Sequence, residues 1–411
     1  MMNKGGGDVR SYVGMKIGII SNYEWLQQWD NYGTLFQNFA LQKVLQNYGH
    51  DTFWILTKGG DPGFSGDKLK SLLIKLRHSP DELVHQTFSA FGDKSAGREE
   101  ALQVAEFNKR HPRNFYDFLA KYVAHTPSTY SHADLKNDPP CADAYIVGSD
   151  NIWAAVTTAT FLDFGPPKTR RIAYAVSAPW TRLSRYWYAK AARSINKISH
   201  LSVREADGIS VCNKLARKDV VQVLDPTLLL DSDDYRKLIS SEAASEKFPR
   251  TTVLGYFLNT RSLSELPWEA MTGFSAAMGA DFKAIPLQGA ELVIPEEFVY
   301  APAPAAWLNA YDNADYILTN SFHGTVFAII MKKQFLVIPH GKWGHVGSGV
   351  RFSSILKLLG LEDRLFTGNS GEDIKAQIHK PIDWNLVDAK LQVERKRSMD
   401  FIGTALSADR S

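Results

Sequence analysis

The feature that most restricts this chain is a recurring pattern. Apolar runs three to six residues long, rich in branched side chains, are each followed by polar turns and stretches with apolar residues at helical spacing. Runs of this kind suit strands buried on both faces of a parallel sheet. They fall at 16–21, 52–56, 144–147, 171–176, 200–203 and 220–224, and again at 253–258, 282–285, 316–318 and 335–338. After the first run, Leu35, Phe36, Phe39, Ala40, Leu41, Val44 and Leu45 predict a helix over 34–48, with Gly49 as its stop. The alternation predicts an α/β fold of two Rossmann-like domains facing a cleft. The first spans 15–235, with a charged helical insertion at about 57–140 that has helical patches at 68–76 and 115–123; the second spans 236–383. Residues 1–14 are Gly-rich and polar and read as a disordered leader. Residues 384–411 read as an amphipathic C-terminal helix able to pack back across the domains.

Charge and composition remove several function classes. A formal net charge of +3 over 411 residues creates no demand for nucleic acid or an acidic membrane. The local basic clusters Lys168, Arg170, Arg171 and Arg395, Lys396, Arg397 read as solvated faces. Cys141 and Cys212 are too few for a disulfide framework and lack zinc spacing, so they read as structural thiols in a reducing cytoplasm. No apolar run is long enough to cross a bilayer, and no secretory apolar stretch opens the chain. The expectation is a cytoplasmic protein with no transmembrane segment, whose contact with the membrane's cytoplasmic face is peripheral if it occurs. There is no preformed metal spacing, no G-x-G-x-x-G, no P-loop and no G-x-S-x-G, which disfavours dehydrogenase, ATPase and covalent acyl chemistry.

The candidate chemistry lies at predicted strand ends, where open α/β sheets place their ligands. In YILTNSFHGTVFAIIM, residues 316–331, a strand ends at Asn320 and Ser321 and a helix begins near Phe322. Amides around His323, Gly324 and Thr325 would form an electropositive corner for an anion, with the His323 imidazole beside it to give or take a proton. The alternative is that Ser321 only caps the helix while His323 satisfies a buried carbonyl. A second strand end carries Ser149 and Asp150, placed to touch a ligand, with Asp150 also suited to an N-cap. Arg204, in SVRE, could fork onto a carboxylate or phosphate, although an Arg-Glu pair is commonly a solvated surface feature. Asp225, in LDPTLLL, reads mainly as inter-domain architecture and is an outside candidate for the site. Asn31, Gly33 and Thr34 bridge the first strand and its helix and are expected to face the cleft. The Gly-rich stretch 340–351, with His340, Lys342, His345 and Arg351, reads as a loop that could close over an anionic ligand.

Seven segments in order, NYGTLFQNFALQKVL, AYIVGSDNIW, FLDFGPPKTRRIAYAVS, LSVREADG, VLDPTLLLD, ADYILTNSFHGTVFAII and RFSSILKLLGLEDRL, resemble successive blocks of the polysaccharide pyruvyl transferase family. The resemblance spans residues 31–365. It implies a GT-B-like pair of Rossmann-like halves and transfer of the enolpyruvyl unit of phosphoenolpyruvate onto two hydroxyls of a sugar, in capsular, exopolysaccharide or cell-wall glycan biosynthesis. Phosphoenolpyruvate is then a co-substrate and no further cofactor or metal is implied; the acceptor glycan is either free or lipid-linked. Many relatives carry arginine where this chain has Ser321, and others aspartate in place of Asn320. In the implied mechanism His323 is the acid and Asp150 a base, while Arg204, Arg351 and the amides of Gly324 and Thr325 hold the donor. A nucleotide-sugar glycosyltransferase and a non-catalytic scaffold of a glycan assembly complex are the competing readings.

Overall fold

The computed structural model of the chain describes residues 14–21, 31–58, 94–154, 157–177, 185–242, 244, 247–339 and 346–407. Among them, ten strands form two parallel sheets. The first contains β1 (Lys16–Ile20), β2 (Asp51–Trp54), β3 (Ala144–Val147), β4 (Arg170–Val176), β5 (His200–Val203) and β6 (Val220–Gln222), in the order β2-β1-β3-β4-β5-β6. The second contains β7 (Thr252–Leu258), β8 (Asp281–Leu287), β9 (Tyr316–Thr319) and β10 (Gln334–Val337), in the order β10-β9-β7-β8. Both follow one rule: the first strand of the half has the second on one side and the third on the other. The crevice where that order reverses, β1/β3 in one sheet and β7/β9 in the other, is where doubly wound sheets bind ligands.

Strand ends differ from expectation by a few residues. The sixth strand stops at Gln222 rather than residue 224, because the Leu224 amide donates to Ser398 Oγ at 2.9 Å instead of continuing the ladder. The predicted helix patch at 68–76, the leader up to residue 13 and the stretch 340–345 lie outside the described residues. From Val346 onward the stretch read as a Gly-rich loop is helical, so a loop conformation for 346–351 is corrected.

Helix α1 (Tyr32–Asn47) joins the halves. Only Lys43, Gln46 and Asn47 escape burial, so it has hardly any solvent face. One side packs on the first sheet; the other meets the helix α9 (Pro304–Asn313) and β7 of the second half. Tyr32 stacks on Trp307 with centroids 5.0 Å apart, Phe36 lies 5.5 Å from Trp307 and 5.3 Å from Phe327, and the Tyr32 hydroxyl donates to Pro302 O at 2.5 Å. One continuous apolar core therefore runs from Ile17 and Ile19 through α1 to Leu254, Ile317 and Phe335. Burying each large apolar side chain stabilises by about 1.5–3 kcal/mol, so packing holds α1 more than propensity does.

Among the described residues, three helices lie between β2 and β3: α2 (Lys94–Arg110), α3 (Phe115–Tyr122) and α4 (His132–Asn137). Phe115, Phe118 and Leu119 of α3 enter the shared core, with Phe118 edge-on to Phe36 at 5.6 Å. The linker after β6 is held by α13 (Trp384–Ser407), where Arg395 donates to the carbonyls of Leu228 (2.6 Å) and Leu230 (2.7 Å). Among the described residues no helix is long and apolar enough to cross a membrane.

Candidate active site

Strands β3, β5 and β6 end beside the helix that follows β9, α10 (Phe322–Ile330). Asp225, just past β6, is the hub. Its Oδ1 accepts from the Thr227 amide (3.1 Å) and hydroxyl (2.7 Å). Its Oδ2 accepts from Ser149 Oγ (2.9 Å) and Arg204 Nη1 (3.1 Å) and lies 3.5 Å from His323 Nε2. Burial alone would raise this carboxyl, but the charge of His323, that of Arg204 and the Thr227 hydrogen bond hold it well below the usual carboxylate range. A residue first read as inter-domain architecture thus occupies the centre of the site.

Arg204 is 5% exposed and engaged on every side. Nε donates to Glu205 at 2.6 Å, Nη1 reaches Asp150 at 3.2 Å as well as Asp225, and Nη2 donates to Ser177 Oγ at 3.2 Å. Its guanidinium carbon sits 4.0 Å from the centroid of the Phe322 ring, a cation–π contact that reaches across to α10. Two expectations are corrected here. The Arg-Glu pair is buried rather than solvated, because this strand end faces the other half of the molecule. The fork expected to take an anionic ligand is already occupied by carboxylates. With Asp150, Glu205 and Asp225 facing one guanidinium, the corner is rich in negative charge and not the electropositive site expected.

The α10 start differs from expectation in a similar way. Ser321 caps the helix, accepting the Gly324 amide on Oγ at 3.2 Å, while its carbonyl takes the Thr325 amide (3.0 Å) and hydroxyl (3.1 Å). The amides of Gly324 and Thr325 are therefore not free for phosphate, which leaves those of Phe322 and His323 as the first-turn donors with no acceptor among the described residues. Gly324 makes room for protein atoms rather than a ligand: a Cβ there would stand 2.3 Å from Thr319 Oγ1 and 3.0 Å from the Tyr311 hydroxyl. Asn320 turns its amide onto the main chain of Leu258, donating at 2.9 Å and accepting at 2.8 Å, and so pins β9 to β7. Ser149, fully buried, serves Asp225 instead of facing a ligand.

His323 is 4% exposed, and its Nε2 has no hydrogen-bond partner among the described residues; at 3.5 Å Asp225 attracts it without a hydrogen bond. The satisfied-carbonyl alternative for this ring nitrogen is not what the structure shows. The other face of the imidazole rests on the start of α1, where Asn31 Oδ1 caps the Thr34 amide at 3.1 Å. Gly33 allows this: a Cβ there would lie 2.2 Å from His323 Nδ1, closer than atoms can approach. Gly33 thus packs against His323 rather than opening to ligand, and Thr34 is buried with its amide capped by Asn31. Replacing Gly33 by alanine should lower stability by about 1–3 kcal/mol through overpacking, against the ~0.5–1 kcal/mol that alanine gains in a helix. Thermal unfolding of Gly33→Ala, His323→Ala and the double variant checks this; if the costs simply add, the clash is not with the imidazole.

Gln37, on the buried helix α1, escaped the sequence reading. Its Nε2 donates to Ser21 Oγ (2.7 Å) at the end of β1, and its Oε1 accepts the amides of Ser149 (2.9 Å) and Asp150 (3.0 Å) at the end of β3. It fills the order-reversal crevice of the first sheet and fixes the segment that carries Asp150. The available signal was a glutamine within an otherwise apolar helix face. Asp150 is the most exposed of the three carboxylates, at 14% of its side chain against 8% for Glu205 and 0% for Asp225.

A small pocket adjoins this cluster, lined among others by Arg204, Asp225, Phe322, Ser354 and Ile355. The last two belong to α11 (Val346–Leu359), which also carries Arg351 one turn earlier; the Arg351 side chain lies outside the described residues. Among the described residues no group of three or more His, Cys, Asp or Glu is arranged to hold a metal ion.

The depressed Asp225 carboxyl sets an acid limit on the fold. A folded value below the ordinary 3.8 adds stability that is present above that value and is lost as pH falls beneath it. Melting temperature should therefore drop on acidification below about pH 4. Asp225→Asn should show a flatter acid limb, and an unchanged slope in that variant would assign the limb to other carboxylates.

A family model described as polysaccharide pyruvyl transferase matches residues 31–342. A search of curated proteins gives no significant match. Among solved structures, similarity extends to the UDP-GlcNAc 2-epimerase of Methanocaldococcus jannaschii, at 10% identity over 92% of this chain and 99% of that one, with a TM-score of 0.44. The spinosyn rhamnosyltransferase SpnG is 10% identical over 96% of this chain and 100% of its own, with a TM-score of 0.40. Arabidopsis thaliana UGT89C1 is 13% identical over 94% of each chain, with a TM-score of 0.43.

Proposed function

This chain belongs to the polysaccharide pyruvyl transferase family, and from that premise we propose that it transfers the enolpyruvyl unit of phosphoenolpyruvate to two hydroxyls of a glycan sugar, forming a cyclic ketal. The observation that carries the reading is the buried imidazole of His323. Its Nε2 has no hydrogen-bond partner, a carboxylate lies 3.5 Å away, and it stands where the two sheets' strand ends meet. An imidazolium so placed can deliver a proton to carbon, with Asp225 balancing its charge.

The proposed reaction closes on atoms and electrons. His323 protonates the methylene carbon of the donor, leaving an oxocarbenium-like centre at the neighbouring carbon. The first sugar hydroxyl attacks that carbon and gives its proton to Asp150, the carboxylate with the greatest access. The bond to the phosphate oxygen then breaks, phosphate leaves, and the second hydroxyl closes the ring. Of the two hydroxyl protons released, one makes good the proton now on the methyl group and the other departs with phosphate. The open amides of Phe322 and His323 and the cation of Arg351 are assigned to the phosphate. Arg204 is assigned to holding the carboxylates.

The acceptor is proposed to be a sugar of a capsular, exopolysaccharide or cell-wall glycan, presented in the cytoplasm. Incubation with phosphoenolpyruvate, and separately with nucleotide sugars, tests the donor: the former should raise the melting temperature and the latter should not. Release of phosphate from phosphoenolpyruvate with a panel of free and lipid-linked glycans, read by product mass, tests the transfer. Stabilisation by nucleotide sugars alone would overturn the reading.

A further inference from the structure

The site as described lacks the positive charge its donor requires. Asp150, Glu205 and Asp225 share one guanidinium, while the donor brings both a phosphate and a carboxylate. The carboxyl ends of β7 and β8 hold a further cation outside this carboxylate cluster. Arg113, in the turn between α2 and α3, is 2% exposed. Its Nη2 donates to Pro286 O at 2.7 Å and its Nη1 to Asn108 Oδ1 at 3.3 Å. Glu291 stands 3.7 Å from Nη1, too far to hydrogen-bond, and its own oxygens accept the amides of Gln288 (3.1 Å) and Gly289 (2.7 Å). Nε of Arg113 is buried with no hydrogen-bond partner.

A second orphaned donor lies at the same strand end. Pro286, which receives the guanidinium, pairs in the sheet with Phe257, the residue after Tyr256. The Tyr256 hydroxyl is buried and, among the described residues, has no partner at hydrogen-bond geometry, although a hydrogen-bonding influence of Ser321 and the charges of Arg113, Asp150 and Glu291 all reach it. Burial first, with the nearby carboxylates, pushes its phenol well above the ordinary range, so at any working pH it remains an O–H donor. Buried donors are nearly always paired; Trp307 Nε1 and the Tyr311 hydroxyl, in ring contact with Tyr256, are unpartnered too, and of these groups it is Arg113 Nε and the Tyr256 hydroxyl that belong to neighbouring strand ends and point to an acceptor from outside. Tyr256 is also in register with Thr319, two residues before the Ser321 cap. Adjacent strands are roughly 4.8 Å apart, a spacing suited to a small molecule with an anionic group at each end.

We propose that Arg113 Nε and the Tyr256 hydroxyl are the donors that receive the carboxylate of the three-carbon phosphate ester, an assignment that rests on the pyruvyl-transfer reading above. The phosphate then lies at the start of α10 and the carboxylate over the end of β7, with the methylene carbon toward His323. A planar guanidinium edge beside a hydroxyl suits a planar carboxylate.

Binding measurements on the full chain test this, using phosphoenolpyruvate and inorganic phosphate as separate probes. Tyr256→Phe removes only an unpartnered oxygen, so the unliganded melting temperature should equal or exceed that of the parent. The Kd for phosphoenolpyruvate should rise on the order of tenfold, while that for inorganic phosphate stays unchanged. Arg113→Lys keeps a positive charge beside Glu291 but loses the Nε–H, and should show the same selective loss. A Tyr256→Phe variant that melts lower yet binds phosphoenolpyruvate as the parent does would make the hydroxyl structural and overturn the assignment. Equal weakening of both probes would also overturn it, since the carboxylate would not be what is lost. If the parent binds no phosphoenolpyruvate, the wider functional reading falls as well; if parent and variants bind it equally, only this assignment does.

Discussion

Replacing His323 with alanine should lower turnover by ~10²- to 10⁴-fold, the usual contribution of a positioned proton donor, while the chain still folds. The expectation rests on geometry. The imidazole sits among Gly33, Phe322 and Asp225, and its Nε2 makes no hydrogen bond among the described residues, so its removal takes away a charge facing Asp225 while Arg204, Ser149 and Thr227 still hold that carboxylate. The methyl side chain leaves a void beside α1, which should cost some thermal stability; His323→Gln, closer in volume, separates that effect from the chemistry. Phosphate release from phosphoenolpyruvate in the presence of acceptor is the measurement. Near-parental turnover in both variants would remove His323 from the mechanism.

Replacing Asp225 with alanine should have the largest effect on stability. The carboxylate is fully buried and answers Arg204, Ser149 and Thr227 at once. Its loss leaves the Ser149 hydroxyl and the Thr227 amide and hydroxyl without their buried acceptor and takes one of three anions from Arg204, together on the order of 3–5 kcal/mol. For a chain of 411 residues unfolding as one unit, at ~2.1 cal/mol/K per residue, this corresponds to a fall of about 4–6 °C in melting temperature. Asp150→Ala should cost less, because that carboxylate is partly solvated, at 14% of its side chain against 0% for Asp225. Differential scanning calorimetry on both variants checks the order; a larger loss at Asp150 would move the hub away from Asp225.

The strands were legible in sequence because parallel strands covered on both faces carry near-continuous apolar runs, and 144–147 and 200–203 coincide with β3 and β5. The start of α10 was legible for a different reason: Ser321 followed by Phe-His-Gly has the form of a capped helix entry, and the cap is there. What could not be read was which partners the polar groups would find. Glu205 and Asp225 are far apart in sequence from Asp150 and His323, and whether Arg204 meets solvent, ligand or three carboxylates depends on how two sheets face one another. Glycines misled in the same way. Gly33 was expected to face the cleft and Gly324 to lend its amide to an anion, whereas the atoms that approach them belong to His323, Thr319 and Tyr311.

The placement of α1 has a consequence for synthesis. Tyr32 and Phe36 leave the ribosome early, yet the surfaces that cover them, at Pro302, Trp307 and Phe327, are made some 270 residues later. Until then a nascent chain with its first sheet complete would present a helix with an uncovered apolar side, the kind of transient surface on which chains stick to one another. Truncation anywhere before α10 should therefore yield insoluble product rather than a folded half, and the order of translation works against piecewise folding here.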